Sequence, residues 1–246
     1  AIMTKLGLAP THLWYPEVMQ GTTLTTAMII STWQKIAPLT MLYLIHSHTN
    51  YTILLSCGLT SALVGGLTGL NQTQTRKIMA FSSIAHMGWF LVAMTIDQSL
   101  TTLTILLYLT ITLATFTTLT NTSTKTITDL NTTWTMSPTL LTMTMITLLS
   151  LAGLPPLSGF MPKWLIITKL TTTNLMLIGA MLLFATLPSL FFYTRMAYMT
   201  TLTNPPTTTN FKLNWRFNNT PHPTTMTTMT LSWFMIPITS LLYSTT

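Results

Sequence analysis

Charge is almost absent from this chain, and that absence constrains the fold more than any motif does. Ten Lys or Arg and three Asp or Glu make up 5% of its 246 residues, where a soluble domain carries about 25%. So few charges cannot give a globule of this size a solvated surface, which excludes an ordinary water-soluble enzyme. Intrinsic disorder requires low hydrophobicity and high charge, yet 48% of this chain is hydrophobic. The net charge of +7 does not indicate nucleic acid. A nucleic-acid site gathers its bases on one face, and these are scattered along the whole length. A bilayer-crossing helix needs about 20 mainly apolar residues, and the uncharged stretches supply them. The class that remains is an all-α, polytopic membrane helix bundle.

Candidate spans lie at 22–45, 51–70, 78–96, 100–121, 138–169 (broken in its middle), 174–199 and 224–244. Residues 1–10 read as the tail of one more helix. The 56 threonines lower hydropathy without forbidding insertion, because a threonine hydroxyl can bond the carbonyl one turn back. A membrane β-barrel needs alternating segments about ten residues long; these runs are longer and do not alternate. The chain opens in a helix-like pattern with no initiator Met and no charged leader, so it reads as a fragment without a signal peptide. Cys57, the single cysteine, excludes an internal disulfide and reads as a small buried hydrophobe. Asn-x-Thr/Ser triplets at Asn50, Asn71, Asn121, Asn131 and Asn218 follow from the abundance of threonine, and none reads as glycosylated.

Sorting the charges by loop supports the span count. The loops after 51–70, 100–121 and 174–199 carry Arg76, Lys77, Lys125, Arg195, Lys212 and Arg216 against one acid, Asp129. The loops assigned to the other side carry Lys169 as a base, with Glu17 and Asp97 as acids. Basic loops stay on the inner face of a membrane, which puts the C-terminus on the outer face.

Three lysines fall outside this pattern. Lys35 lies mid-span in Thr32-Trp33-Gln34-Lys35-Ile36-Ala37-Pro38, and Lys5 and Lys163 lie beside chain breaks. An unpaired charge at the bilayer centre costs about 3 kcal/mol on insertion scales. That cost falls if the amine faces a hydrated interior, pairs with an acid or loses its proton. Snorkelling to the interface is the plain alternative for each. In a continuous helix Pro10 leaves the Leu6 carbonyl without its donor, and Pro38 does the same to Gln34. Each freed carbonyl then sits near a lysine, and non-helical backbone at membrane depth is tolerated only inside protein or beside water.

An internal repeat sharpens this reading. Gly7-Leu8-Ala9-Pro10 is followed by Pro16-Glu17, and Gly153-Leu154-Pro155-Pro156 by Pro162-Lys163, at the same spacing. Gly/Pro-interrupted segments at corresponding places in two halves point to a transporter with structural repeats. An odd number of crossings separates the breaks, which fits inverted halves with two discontinuous helices.

Several stretches carry a family resemblance. They are Lys5-Leu-Gly-Leu-Ala-Pro-Thr-His-Leu-Trp-Tyr-Pro-Glu17, Thr32-Trp-Gln-Lys-Ile-Ala-Pro38, Gly69-Leu-Asn-Gln-Thr-Gln-Thr-Arg-Lys77, Ser82-Ser-Ile-Ala-His-Met-Gly-Trp89 and Gly153-Leu-Pro-Pro-Leu-Ser-Gly-Phe-Met-Pro-Lys-Trp164. Together they closely resemble the vertebrate mitochondrial NADH dehydrogenase subunit 2 family, over essentially the whole chain. Full-length members begin earlier, so the resemblance implies the C-terminal two-thirds. It implies an antiporter-like proton-translocating domain at 1–187. It also implies a C-terminal region at 188–246, with a polar loop at 203–223 and a last transmembrane helix at 224–244.

The resemblance further implies a core membrane-arm subunit of respiratory complex I in the inner mitochondrial membrane, with its basic loops on the matrix side. The enzyme is NADH:ubiquinone reductase, whose redox chemistry occurs elsewhere in the assembly. NADH, FMN, iron–sulfur clusters and ubiquinone would belong to other subunits, with no cofactor and no metal held by this chain. Its partners would be the other membrane-arm subunits, the lipid bilayer and protons, and no nucleic acid. Lys5, Lys35 and Lys163 match the family's proton-relay lysines. The family also pairs the first lysine with a glutamate on an earlier helix, which this sequence does not contain.

The remaining polar residues are secondary candidates. Glu17 reads as a relay carboxylate or as a loop charge after the first break. His86, inside 78–96, reads as a proton relay or as an interhelical hydrogen bond. His12 reads as a relay or as a partner for freed carbonyls. His46 and His48 have no third ligand in view for a metal. Two further readings stay open: a cation/proton antiporter subunit, and a structural spacer that conducts nothing.

Overall fold

A computed structural model describes residues 1–133, 138–202 and 223–245. Helices account for nearly all of it. They are α1 (Ile2–Leu6), α2 (Trp14–Gly21), α3 (Leu24–Ser31), α4 (Trp33–Ile45), α5 (Tyr51–Gly69), α6 (Thr75–Ile96), α7 (Gln98–Thr122), α8 (Ile127–Leu130), α9 (Pro138–Ala152), α10 (Phe160–Thr172), α11 (Met176–Thr201) and α12 (Pro223–Thr245). A 3₁₀ turn, His46–His48, extends α4. The β pairing among the described residues is one isolated bridge, Gln74 to Thr126. Five stretches are long and apolar enough to cross a membrane: Leu24–His48, Tyr51–Gly69, Thr75–Ile96, Gln98–Thr122 and Met176–Thr201. The α12 helix also has spanning length. The expected polar loop at 203–223, with Lys212 and Arg216, lies outside the described residues except for Pro223.

Threonine behaves as the sequence requires. Thr95 bonds Val92 O, Thr112 bonds Tyr108 O, Thr115 bonds Thr112 O and Thr118 bonds Thr115 O. Each hydroxyl is satisfied within its own helix, so it needs neither water nor a neighbour.

The bundle is built around α6. From Ile78 to Met94 every residue is buried except His86, which is half-buried. Lipid gives helices no hydrophobic drive to associate, so close backbone approach must supply it. Glycine provides that approach between α5 and α6. A Cβ on Gly65 would lie 2.6 Å from Ala85 N and 2.8 Å from Phe81 O. The α7 helix packs on α6, α11 packs chiefly on α5, and α12 lies against α7.

Hydrogen bonds sort the loops onto two faces. On one, Arg76 donates to the Thr22 carbonyl. Arg195 donates to Leu70 O at 2.9 Å and to Gln72 O, and Thr75 N to Lys125 O at 3.1 Å. On the other, Lys169 pairs with Asp97 at 3.5 Å and Gln98 meets His46 at 3.2 Å. The first face gathers the basic segments, as the charge sorting requires. Glu17 is a correction: it lies in the first turn of α2, which ends at Thr22 on the basic face. It is therefore neither a loop residue nor a member of the opposite set. Arg195 likewise lies in α11 rather than in the loop after it.

The repeat extends to backbone geometry. Both α1 and α9 end on a left-handed glycine, Gly7 at φ 72° and Gly153 at φ 86°. The Leu8 amide bonds Met3 O, and the Leu154 amide bonds Leu149 O. This six-to-one bond closes a helix only when the residue beyond its end turns left-handed, a conformation that glycine adopts without steric cost. Helix resumes at Trp14 and at Phe160, the same 146-residue offset that relates Gly7 to Gly153. The α2 helix runs out to the Thr22 face, whereas α10 runs out to the Lys169 face. The two discontinuous helices are inverted relative to each other.

One break is not where proline predicts it. Pro38 sits inside α4, and the helix yields earlier, at Thr32, with φ −112° and ψ −71°. There Thr32 N and Oγ1 both bond Met28 O, and the Lys35 amide turns tightly onto Thr32 O.

Candidate functional site

The first turn of α4 carries Lys35 into the bundle interior, where it is 2% exposed. Its Nζ is 3.4 Å from Tyr108 Oη, and Tyr108 donates to Ser31 O at 3.3 Å. The amine also lies over two rings, 4.8 Å from the Tyr15 centroid and 5.4 Å from that of Tyr108. No carboxylate pairs with it among the described residues, where the ion pair is Lys169 with Asp97.

Beyond Tyr108 lies His86, with its ring centroid 5.7 Å from that of Tyr108. Its Nε2 is 3.5 Å from Tyr193 Oη on α11. His86, Tyr108, Ser150 and Lys163 line a cavity of about 40 Å³ between α6, α7, α9 and α10. A water needs at least about 10–15 Å³ of such space, so the cavity has room for two or three. Lys163 reaches it from the first turn of α10 and donates to Ala152 O at 3.0 Å. That carbonyl lacks a helical partner because α9 ends there, and a lysine beside a helix C-terminus is favourably placed to take it. Gly159 makes this approach workable, since a Cβ there would sit 1.8 Å from Ser150 O.

The structure thus brings the buried Lys35 and the half-buried His86 and Lys163 onto one polar axis, with Tyr108 between the first two. Lys5 is placed differently. It shares an open cleft of about 740 Å³ with Lys35, Tyr15 and Gln34, but its side chain is exposed. Lys5 lies on a face of α1 that none of the described elements covers. His12 is half-buried in the first break, and its Nδ1 has no hydrogen-bond partner among the described residues. The carbonyls near that break are taken instead by Trp14 Nε1, at 2.9 Å from Thr4 O, and by Thr11 Oγ1, at 3.2 Å from Leu8 O. Glu17 is exposed on α2. Among the described residues no group of three His, Cys, Asp or Glu could hold a metal ion.

Sequence reasoning weighed Lys, His and Glu and passed over Tyr15, Tyr108 and Tyr193. A usable signal was present. Tyrosine in membrane proteins favours the interface, and Tyr108 sits deep in the Leu106-Leu107-Tyr108-Leu109 run.

Comparison with known proteins shows the family and the fold. The family described as NADH:quinone oxidoreductase/Mrp antiporter, TM, matches residues 1–189. The family described as NADH dehydrogenase subunit 2 C-terminus matches residues 190–243. The chain is 50% identical over 243 residues to NADH-ubiquinone oxidoreductase chain 2 of Sylvisorex ollula, with 98% of this chain and 70% of that one covered. The protein of the same name from Xenopus laevis is 49% identical over the same coverage. In fold the chain is similar to a subunit of respiratory complex I from Thermus thermophilus, with a TM-score of 0.79, 24% identity, and 99% of this chain and 54% of that one covered. It is also similar to a subunit of the Mrp complex from Dietzia sp., with a TM-score of 0.75, 16% identity, and 83% and 41% covered.

Proposed function

Because this chain belongs to the NADH:quinone oxidoreductase/Mrp antiporter membrane family, and over its C-terminal region to NADH dehydrogenase subunit 2, we propose that it is a proton-translocating membrane-arm subunit of respiratory complex I. NADH oxidation and ubiquinone reduction take place in other subunits, and this chain moves protons through a relay of Lys5, Lys35 and Lys163. It resides in the inner mitochondrial membrane with the Thr22, Arg76 and Arg195 face toward the matrix. Its partners are the neighbouring membrane-arm subunits and the surrounding lipid. NADH, FMN and iron–sulfur clusters are held elsewhere in the assembly.

The observation that supports the relay is the buried amine of Lys35, with no carboxylate partner among the described residues, joined by Tyr108 to a cavity whose far wall is Lys163. A buried ammonium is costly unless it is hydrogen-bonded or can give up its proton. Lys35 in its charged form donates to Tyr108 Oη; when that phenol turns its one proton from Ser31 O to a water in the cavity, the proton passes on toward His86 or Lys163 and Lys35 supplies its replacement. Lys163 alternates between the Ala152 carbonyl and the cavity. Lys5 takes protons from the open cleft shared with Lys35, while His12, Glu17 and His86 are supporting groups along the path.

The test is Lys35→Met in the assembled complex, measured as protons moved per electron during NADH oxidation. The expected result is a lowered ratio with the complex still assembled. A normal ratio at normal activity refutes the relay. Transport driven by an imposed ion gradient and indifferent to NADH would mean a cation/proton antiporter subunit instead.

A further inference from the structure

Lys35 is buried in a chain with three acidic residues, and the structure accounts for all three elsewhere. Asp97 pairs with Lys169. Asp129 caps α8 by accepting from Lys125 N and Thr126 N. Glu17 is exposed on α2. What faces the amine instead is aromatic: the ring of Tyr15 at 4.8 Å and the ring of Tyr108 at 5.4 Å. Both tyrosines are buried, at 1% and 6% exposure, so neither ring face is screened by solvent. A desolvated ring within about 6 Å of an ammonium attracts it through the ring quadrupole.

The two tyrosines differ in their hydroxyls. Tyr108 Oη accepts from Lys35 and donates to Ser31 O. Among the described residues Tyr15 Oη makes no hydrogen bond, and Ser83 is its polar neighbour. Ser83 Oγ donates to Ala80 O at 2.7 Å. The hydroxyl of Tyr15 therefore contributes nothing directed to Lys35, while its ring does. The other ionisable groups near Lys35 are bases: Lys5 on α1, which lines the same cleft, and His86 on α6. The α3 helix brings none, and the 3₁₀ turn brings His46 and His48 at the far end of α4.

We propose that Tyr15 and Tyr108 form an aromatic cage that holds Lys35 in its ammonium form, with Tyr15 acting through its ring face alone. Tyr15 is a positioning residue under this proposal, since it sets how readily Lys35 carries a proton without exchanging one itself. A cage suits a relay better than an ion pair does. A carboxylate at contact distance would bind the ammonium strongly and oppose its loss of a proton. A ring face favours the charged form more weakly, and it neither accepts nor donates.

The inference rests on the relay reading, and the experiment separates the two. Tyr15→Leu, Tyr15→Met and Tyr15→Phe are each made in the assembled complex. NADH-driven proton pumping by inner-membrane vesicles is then recorded across the neutral to alkaline range and normalised to assembled complex. Loss of the ring face disfavours the ammonium, so the Leu and Met variants should move the alkaline limb of the profile to lower pH. A shift of about one unit lowers pumping about tenfold on that limb. Tyr15→Phe should restore the original limb. Leucine leaves a void, and the unbranched methionine fills most of it, so the Met variant carries the test if the Leu variant assembles poorly. Leu or Met profiles that overlay the Phe profile overturn the cage, as does a Phe variant that behaves like them. Lys35→Met is scored beside them: normal pumping there removes the relay itself, whereas lost pumping there with no difference among the Tyr15 variants removes only the cage.

Discussion

Gly88 on α6 offers a sharp test of what holds the bundle together. A Cβ at this position would lie 2.6 Å from Gly58 O, 2.6 Å from Ser61 Oγ and 2.7 Å from Ala62 N. Two of the three atoms are backbone and cannot swing aside. Ordinary contact begins near 3.4 Å, so Gly88→Ala must push α6 off α5 by about 0.8 Å, and overpacking of this kind costs about 1–3 kcal/mol. A loss of about 2 kcal/mol changes a folding equilibrium roughly thirtyfold, a large share of what a single subunit can lose. The displacement also carries His86, two residues away, relative to Tyr193 and Tyr108. The assay is the yield of assembled complex on native gels together with its rate of heat inactivation. Gly21→Ala is the control, because a Cβ there meets nothing within 4 Å. Gly88→Ala should lower the yield and speed inactivation severalfold, whereas Gly21→Ala should do neither. If the two variants match the parent equally well, the α5–α6 contact is softer than these distances require and the packing argument fails.

Two further outcomes follow from the site and the surface. Gly153→Ala forces a non-glycine residue to φ 86°, at about 1–2 kcal/mol. Its Cβ would sit 2.9 Å from Lys163 Nζ, so the amine should leave Ala152 O and the proton-to-electron ratio should fall more than the amount of assembled complex does. Asp97→Asn removes an ion pair whose side chains are 36% and 41% exposed. Exposed pairs contribute about 0–1 kcal/mol, so heat inactivation should stay within a factor of about five of the parent, and a larger change would show that the pair does more than its exposure suggests.

Much of the architecture was legible because charge is scarce. With so few ionisable residues, each one marks either a face or an interior site, and the loop contacts of Arg76, Arg195 and Lys169 follow that division. The Gly-Leu-x-Pro repeat marked both discontinuous helices because left-handed closure selects for glycine. The interruption at Thr32 was not legible. Proline removes one donor but does not dictate where the strain is released, and α4 absorbs Pro38 while the chain yields more than a turn earlier. Glu17 was assigned to the wrong face because it was counted as a loop residue rather than as part of a resumed helix. The tyrosines were missed because their role is tertiary. Nothing in the spacing of Tyr15, Tyr108 and Tyr193 places their rings and hydroxyls around Lys35 and His86, and only the packing of α2, α7 and α11 on α6 does that. The exposure of Lys5 was not legible either, because it depends on which helices cover α1.

The self-satisfied threonines have a consequence for how this chain can vary. A hydroxyl already bonded to the carbonyl one turn back, as in the exposed Thr60 to Cys57 or Thr142 to Thr139, presents a methyl group outward. To lipid such a residue differs little from valine. Its removal takes away a second acceptor bond on a carbonyl that the helix ladder already engages. Threonine, valine, alanine and isoleucine therefore become nearly interchangeable over the lipid-facing surface. About half the positions can differ between this chain and relatives such as that of Sylvisorex ollula while the helices remain helices. Residue-by-residue hydropathy then understates how well such helices suit a bilayer. Tolerance to change should end abruptly at the glycines between α5 and α6 and at the side chains around Lys35, where no such equivalence exists.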